Sequence, residues 1–142
     1  MGATKKLLVV DDAATVRLYH RKVLRDAGWA VDEAVNGLEA LEKALAADGD
    51  APYDLYVVDV NMPKMDGYTF IRELRSQASQ SAQAPVMMVS TESRSHDASR
   101  AFAAGSNCYL VKPAGPSALV LTAALLLGDA QAANKAARGM NP

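Results

Sequence analysis

Short apolar runs of this 142-residue chain end in side chains that can do chemistry. These side chains are Asp11 and Asp12 after the first such run, then Asp59, Ser90 or Thr91, and Lys112. Three carboxylates held close together repel one another, and a divalent cation removes that cost. Hard oxygen ligands favour Mg²⁺, which needs few protein ligands and keeps several waters. Carboxylate, Mg²⁺, ammonium and hydroxyl groups are the parts that phosphoryl transfer to an aspartate requires.

Each of these residues alone also has an ordinary structural explanation. An aspartate after a strand is usually a helix cap or a turn residue, and a hydroxyl at a strand end usually forms a turn. A lysine before a proline usually lies in a surface loop. The chemical interpretation therefore depends on whether the fold brings these groups to one place.

The apolar pattern predicts five strands that alternate with five helices. The predicted strands are 5–10, 29–35, 53–60, 86–89 and 108–111. The first predicted helix covers 13–27, has an apolar stripe of Val16, Tyr19, Val23 and Leu24, and ends at Gly28. The second is lined by Leu38, Leu41 and Leu45, and the third is capped by Asp66. The fourth covers 95–104 and ends at Gly105, and the fifth runs from about Ser117 to at least Leu127. Segment 48–52 is predicted as a loop, and 76–84 as a mobile loop.

Strands and helices in alternation favour an α/β fold with a parallel sheet covered on both faces. Right-handed crossovers then give a doubly wound sheet, in which active residues lie at the carboxyl ends of the strands. The chemical residues identified above follow four of the five predicted strands. We therefore expect one domain over residues 1–128 with its site at one rim, and an Ala-rich tail over 129–142 that extends the last helix or is disordered.

The motifs at these strand ends strongly resemble the receiver domain of two-component response regulators, of the stand-alone CheY-like type. The residues that carry the resemblance are Val9–Asp12, Val58–Gly67, Val89–Ser90 and Tyr109–Pro113. It covers about residues 5 to 127. It implies a flavodoxin-like sheet of five parallel strands in the order 2-1-3-4-5. It also implies a signalling protein that is phosphorylated on an aspartate, rather than an enzyme acting on a separate substrate.

The resemblance also implies a role for each site residue. Asp59 corresponds to the phosphorylated aspartate. The implied Mg²⁺ ligands are Asp12, Asp59 and the backbone carbonyl of Asn61, with Asp11 reaching the ion through water. Lys112 and Ser90 would contact the phosphoryl group, and Lys112-Pro113 resembles the family's cis peptide. Ser90 and Tyr109 would form the switch, because the hydroxyl moves toward the new oxygens and the aromatic ring changes rotamer.

Two further sets of residues follow from the same resemblance. Asn61 and Glu92, each two places after a site residue, are expected to tune the loss of the phosphoryl group, giving a short-lived state. The outer face of the first helix is expected to dock a histidine kinase or a histidine phosphotransfer protein, although a solvated basic face is an equally ordinary reading. The residues of that face are Arg17, Leu18, Arg21, Lys22 and Arg25.

The fifth predicted helix departs from the family pattern. Ala114-Gly115-Pro116 follows Lys112-Pro113, where the family commonly has an aromatic residue first. The helix is apolar nearly all round, so a homodimer or a partner contact through it is an open expectation. His20 and His96 are expected on helix surfaces rather than at a metal, and Trp29 is expected to anchor the second strand.

Composition narrows the classes of protein. With 15 basic and 16 acidic residues, the formal net charge is −1, which argues against nucleic acid or anionic membrane as a partner. Cys108 is the only cysteine, so neither an internal disulfide nor a multi-cysteine zinc site can form. No targeting signal or membrane span is apparent, and a reducing cytoplasm is the expected compartment. The chain ends soon after the receiver-like region, which predicts a stand-alone receiver acting on an unknown output protein in chemotaxis or as a phosphorelay shuttle.

Two other classes stay open at this point. An Mg²⁺-dependent phosphatase or phosphotransferase of the haloacid-dehalogenase type also uses an aspartate nucleophile, but it needs an Asp-x-Asp pattern after the first strand, where this chain has Asp11-Asp12. A flavin-binding module on the same fold needs a hydroxyl- and glycine-rich loop there. Adjacent carboxylates in that loop disfavour a phosphate without a metal.

Overall fold

A parallel sheet forms the centre of the molecule, which a computed structural model describes over residues 4–47, 51–92 and 94–140. Its strands are β1 (Lys6–Val10), β2 (Ala30–Ala34), β3 (Leu55–Val58), β4 (Val86–Ser90) and β5 (Cys108–Val111). They are ordered β2-β1-β3-β4-β5, and every neighbouring pair is parallel. The predicted flavodoxin-like fold and its strand order are therefore confirmed.

Six helices, not the predicted five, lie in the described part of the chain. They are α1 (Ala14–Asp26), α2 (Gly37–Ala47), α3 (Gly67–Arg75), α4 (Ser95–Ala104), α5 (Pro116–Leu127) and α6 (Ala130–Met140). The additional helix arises because Gly128 adopts a left-handed conformation (φ 72°) that ends α5. Asp129 then starts α6, since its Oδ1 accepts a hydrogen bond from the Ala132 amide at 3.0 Å. Residues 141–142 of the predicted tail lie outside the described residues.

Alternate residues of the central strands point to opposite faces and build two cores. Leu8, Val10, Val58 and Met88 face the layer made by α2, α3 and α4. The neighbouring side chains on the same strands face α1, α5 and α6; these are Leu7, Val9, Val57, Met87 and Val89. Burial on both faces explains why the strands read as unbroken apolar runs. It also leaves their carboxyl ends as the place where polar side chains can lie.

The buried stripe of α1 differs from the predicted one. His20 and Leu24 are the fully buried residues of this helix, and Tyr19 is exposed with its hydroxyl donating to the Ala114 carbonyl at 2.9 Å. The expectation that His20 lies on the helix surface is wrong, because its side chain is only 3% exposed. A helix rotated toward His20 buries the i, i+4 pair 20 and 24 rather than Tyr19.

The segment expected to be a mobile loop over 76–84 is anchored in its second half. Ser81–Gln83 form a short 3₁₀ turn, with Ser81 and Ala82 fully buried. The Arg75 guanidinium donates to the Ala82 and Ala84 carbonyls at 2.8 and 2.6 Å. Of the predicted loop 48–52, residues 48–50 lie outside the described part.

None of the helices in the described ranges combines the length and hydropathy that a bilayer crossing needs.

Candidate functional site

Backbone hydrogen bonds continue the sheet by one residue into the loops that carry the chemical side chains. The Asp11 amide donates to the Ala34 carbonyl at 3.1 Å, and the Asp59 amide donates to the Val10 carbonyl at 2.9 Å. On the other side of the sheet, the Lys112 amide donates to the Ser90 carbonyl at 2.7 Å. These bonds fix the start of each loop against the neighbouring strand, so the side chains project from a rigid base.

Three carboxylates and one ammonium converge on this rim. Carboxylate oxygens of Asp11, Asp12 and Asp59 all lie within 4.8 Å of one another. The Lys112 Nζ lies 2.6 Å from Asp11 Oδ2 and 3.3 Å from Asp59 Oδ1. The peptide bond after this lysine is cis, as the sequence motif suggested. Four residues that the sequence places at the ends of three strands therefore form one cluster.

The electrostatics of Asp59 show what the cluster lacks. Burial raises the pKa of this carboxyl group, the charge of Asp11 raises it further, and the charge and hydrogen bond of Lys112 only partly oppose them. Asp59 is 9% exposed and Asp11 is 2% exposed, so water does little to screen their repulsion. A second cation near Asp59 would relieve that cost.

The donor set fits Mg²⁺ as that cation. It consists of carboxylate oxygens only, which is the hard-ligand chemistry that Mg²⁺ prefers. Asp12 is exposed, so the cluster opens to solvent on one side and leaves room for the waters that Mg²⁺ keeps. The part assigned to the Asn61 carbonyl stays a prediction.

A polar network beside the cluster joins the other predicted residues through Glu92. The Ser90 hydroxyl is fully buried and accepts from the Glu92 amide at 3.2 Å. The Tyr109 hydroxyl donates to the Glu92 carbonyl at 2.7 Å, and the Asn61 side-chain amide donates to Glu92 Oε1 at 2.9 Å. Glu92 therefore joins the predicted switch pair, Ser90 and Tyr109, to Asn61, with which it was predicted to tune phosphoryl loss.

The arginines on the basic face of α1 are hydrogen-bonded to β2, so they are less available to a partner than the composition of the face suggests. Arg17 and Arg21 both pair with Glu33 on β2, at 3.1 and 2.5 Å. Arg25 donates to the Val31 carbonyl at 2.8 Å. Leu18 is the apolar residue of this face that stays open, with 53% of its surface exposed. The structure thus places the predicted docking residues on one face but ties three of the arginines to β2.

Sequence reasoning gave Gly67 no role, although it supports the site directly. A Cβ at this position would lie 2.1 Å from the Asp59 carbonyl oxygen and 2.8 Å from the Met88 Cε. The Gly67 amide donates to the Val60 carbonyl at 2.8 Å, and the preceding Asp66 caps α3 as predicted. Only glycine permits so close an approach of α3 to the loop after β3. The available signal was a glycine directly after a helix-capping aspartate, eight residues beyond Asp59.

Comparison with known proteins agrees with this geometry. A family model described as the response regulator receiver domain matches residues 7–124. The chemotaxis protein CheY1 of Helicobacter pylori (strain ATCC 700392 / 26695) is 37% identical over 124 residues, which are 87% of this chain and 97% of that protein. The transcriptional regulatory protein ResD of Bacillus subtilis is 37% identical over 122 residues, 86% of this chain, which spans only 48% of that protein. The solved structure of the Vibrio cholerae chemotaxis protein CheY4 superimposes with a TM-score of 0.80 at 37% identity, covering 88% of this chain and 100% of that one.

Proposed function

The chain belongs to the receiver domain family of two-component response regulators, and on that premise we propose that Asp59 is its phosphorylation site. A histidine kinase or a histidine phosphotransfer protein supplies the phosphoryl group in the presence of Mg²⁺. The phosphorylated form then binds a partner protein differently from the unphosphorylated form. One observation carries the proposal, namely the Asp59 carboxylate in a cluster with two other carboxylates and the Lys112 ammonium.

The side chains of the rim divide the chemistry among them. Asp11, Asp12, Asp59 and the Asn61 carbonyl would hold Mg²⁺, with Asp11 acting through water. When bound, the ion supplies positive charge beside the phosphoryl oxygens. The Lys112 ammonium adds a second positive charge, and its contact with Asp11 keeps it directed at the site. Ser90 offers a neutral hydroxyl for a phosphoryl oxygen.

The proposed switch follows from the charge that phosphorylation adds. A phosphoryl group adds about −1.5 to −2 charges at Asp59 and brings new hydrogen-bond acceptors. The Ser90 hydroxyl, which now accepts from the Glu92 amide, would turn to donate to one of those oxygens. Tyr109 is bound to the same loop through the Glu92 carbonyl, so its ring would respond when the loop moves. This biases an existing two-state equilibrium. A Tyr109 ring environment unchanged by phosphorylation, measured by NMR, would count against the switch.

Asn61 and Glu92 are proposed to set the lifetime of the phosphorylated form. Their side chains are hydrogen-bonded at 2.9 Å beside the cluster, where they can orient a water molecule toward the phosphoryl group. We propose a short-lived phosphorylated state for this reason. The rate at which the Asn61→Ala variant loses its phosphoryl group tests the role, and a rate equal to that of the unmodified protein would contradict it.

The partners follow from the family and from the surface of α1. Leu18, exposed beside the rim, together with the outer edges of Arg21 and Arg25 would contact the helix that carries the phosphohistidine. The balanced net charge supports a protein partner rather than nucleic acid or membrane. We place the protein in the cytoplasm, where such kinases present their phosphohistidine. A homodimer through α5 stays a proposal, supported by the exposure of Leu125.

The test of the proposed function is phosphoryl uptake from a small phosphodonor such as acetyl phosphate. With Mg²⁺ present, we expect the unmodified chain to gain one phosphoryl group, and the Asp59→Asn variant to gain none, measured by intact-mass spectrometry at neutral pH. Chelation of Mg²⁺ should prevent uptake by the unmodified chain.

Asp66→Asn is the matched control, because it changes a carboxylate to an amide in the same loop and asparagine also caps helices. This variant should be phosphorylated like the unmodified protein. Phosphoryl uptake by Asp59→Asn at the unmodified level would refute the assignment.

A further inference from the structure

We infer that Arg17 is a positioning residue that holds the Asp11–Asp12 peptide in the orientation that binds Mg²⁺, an inference that rests on the proposed function. Its guanidinium lies under the acidic loop rather than in solvent, because the side chain is only 16% exposed. The Nη1 atom donates to the Asp11 backbone carbonyl at 2.7 Å. The Nε atom donates to Glu33 Oε1 at 3.1 Å.

The contact with the carbonyl completes the hydrogen bonding of Asp11. The Asp11 amide donates to the Ala34 carbonyl, and the two carboxylate oxygens accept from the Ala13 amide at 2.9 Å and from Lys112 Nζ at 2.6 Å. The backbone carbonyl is the remaining polar group, and Arg17 satisfies it. Asp11 is 2% exposed, so losing this donor would leave a carbonyl poorly placed to find water.

That carbonyl belongs to the peptide plane whose nitrogen is the amide of Asp12. Fixing the plane fixes the direction in which the Asp12 backbone leaves β1, and therefore where its exposed carboxylate can reach. Asp12 lies in the carboxylate cluster, and no side-chain hydrogen bond within the described part of the chain orients it. Arg17 thus acts through the backbone on the one exposed carboxylate of the cluster.

Glu33 in turn keeps Arg17 in place. Burial acts to raise the pKa of Glu33, but the hydrogen bonds and charges of Arg21 and Arg17 outweigh it and lower the pKa. Glu33 is thus ionised at neutral pH and anchors the Nε side of the Arg17 guanidinium. The Nη1 side is then directed to the carbonyl of the acidic loop. The chain from Glu33 through Arg17 to Asp11 links β2 to the metal-binding residues.

Arg21 provides a matched control for this inference. It lies one turn further along α1 and pairs with the other oxygen of the same Glu33, at 2.5 Å, but has no contact with Asp11. A role limited to the ion pair with β2, or to a basic docking face, would make the two arginines equivalent. A positioning role makes them different.

The experiment measures Mg²⁺ affinity by isothermal titration calorimetry and the exchange of the Asp12 amide by NMR in metal-free protein. We expect Arg17→Ala to raise the Mg²⁺ dissociation constant roughly tenfold, the low end for residues that orient metal ligands. Arg21→Ala should change it less than about twofold, as expected for a partly exposed pair without contact to the loop. The Asp12 amide should exchange faster in Arg17→Ala and not in Arg21→Ala.

Arg17→Lys supplies the second variant, because one ammonium can still reach the Asp11 carbonyl and should restore most of the affinity. It carries the test if Arg17→Ala does not fold. Equal Mg²⁺ affinities and equal Asp12 exchange in the two alanine variants would overturn the inference while leaving the proposed function intact. Failure of the unmodified chain to bind Mg²⁺ would instead refute the proposed function, and this inference with it.

Discussion

Asp59 and Lys112 interact electrostatically in the site before any ligand binds. The Lys112 ammonium contacts Asp11 at 2.6 Å and Asp59 at 3.3 Å, so it stabilises the ionised form of Asp11 more strongly than that of Asp59. Asp59 is left buried and only partly compensated, which is why its pKa is raised. An aspartate in this state gains from a metal ion, because the Lys112 contact alone does not offset the cost of burying its charge.

This raised pKa predicts a stability gain in the Asp59→Asn variant without metal. The folded chain holds the Asp59 proton more tightly than the unfolded chain, whose ordinary value is 3.8. Stability contributed by this group therefore falls as the pH rises from that value through the raised folded pKa, and stays reduced above it. Removing the charge should raise the Tm at pH 7 by roughly 2 to 4 °C.

Thermal unfolding in a chelator between pH 4 and pH 8 measures this effect. The gain should shrink toward pH 4, where the unmodified Asp59 takes up its proton. Asp26→Asn is the control, because its carboxylate is mostly exposed and pairs only with Lys22 on the surface. A Tm of Asp59→Asn equal to or below that of the unmodified chain at pH 7 would contradict the expected electrostatic cost.

At this scale the sequence predicts side chains better than backbone contacts. The cluster of Asp11, Asp12, Asp59 and Lys112 follows from strand ends that a parallel sheet must bring together. The position of Arg17 does not, because its acceptor is a main-chain carbonyl and carries no signature in residue types. The resemblance to the receiver family therefore grouped it with a docking surface.

Helices and loops set the geometry at the next scale. The N-terminus of α3 packs directly against the loop after β3, and Gly67 is the point of closest approach. In that loop, Lys64 has φ of 69°, a left-handed conformation unusual for a residue with a side chain. The loop thus takes a fixed, costly path. The path holds Asp66 at the start of α3 and keeps Asn61 beside Glu92.

Gly67→Ala should therefore destabilise both the fold and the site. The added methyl group would meet the Asp59 carbonyl oxygen at 2.1 Å, so the loop must shift. We expect a loss of about 1 to 3 kcal/mol in the free energy of unfolding, typical of overpacking, together with weaker Mg²⁺ binding. Urea unfolding and calorimetry measure the two effects.

Gly115→Ala is the corresponding control at the start of α5. A Cβ there meets nothing within 4 Å, and its φ of −66° suits any residue. Alanine is a poorer N-cap than glycine, but it also lowers the entropy of the unfolded chain, so the net loss should stay below about 1 kcal/mol. Similar losses in the two glycine variants would show that the close approach at Gly67 does not matter.

The elements themselves were largely predictable. The strands lie within a few residues of their predicted bounds, because burial on both faces makes them unbroken apolar runs. The buried side of α1 was not predictable from the apolar pattern, because histidine counts as a polar residue in that pattern while the His20 ring packs in the interior. The end of α5 was also missed, because an Ala-rich segment after Gly128 reads equally well as more helix or as coil.

For the whole molecule, α6 adds a layer to the α1–α5 face. Ala133 and Ala136 are buried there, and Asp129 makes two bonds: its Oδ1 caps α6 through the Ala132 amide, and its Oδ2 accepts from the Trp29 indole at 3.0 Å. α6 covers part of the apolar surface of α5, although Leu125 stays 66% exposed. The area of α5 open to a partner is therefore smaller than its composition suggests.

Asp129→Ala should loosen α6 without disturbing the rim. The loss of the cap and of the indole bond should cost about 1 to 2 kcal/mol. Hydrogen bonds from Ala132 and Trp29 lower the pKa of Asp129, so their stabilisation is present at neutral pH and is lost as the pH falls below 3.8. Amide hydrogen exchange over 130–140 measures the effect.

Asp129→Asn serves as the comparison, because its amide oxygen can still cap the helix. It should protect the amides of α6 better than the alanine variant does, and phosphoryl uptake should be the same in both. Unchanged exchange in Asp129→Ala would mean that α6 is held by its apolar contacts alone.

The hydrogen bond between Trp29 and Asp129 also determines what intrinsic tryptophan fluorescence can measure in this protein. Trp29 is the only tryptophan of the chain, and its buried indole lies at the junction of β2 and α6, on the face of the sheet opposite α3 and α4. Its intrinsic emission should respond when the C-terminal layer detaches and the ring meets water. Ligand titrations followed by tryptophan fluorescence would therefore report the detachment of α6 and not binding at the acidic rim. A fluorescent probe of the rim has to be introduced at the rim itself.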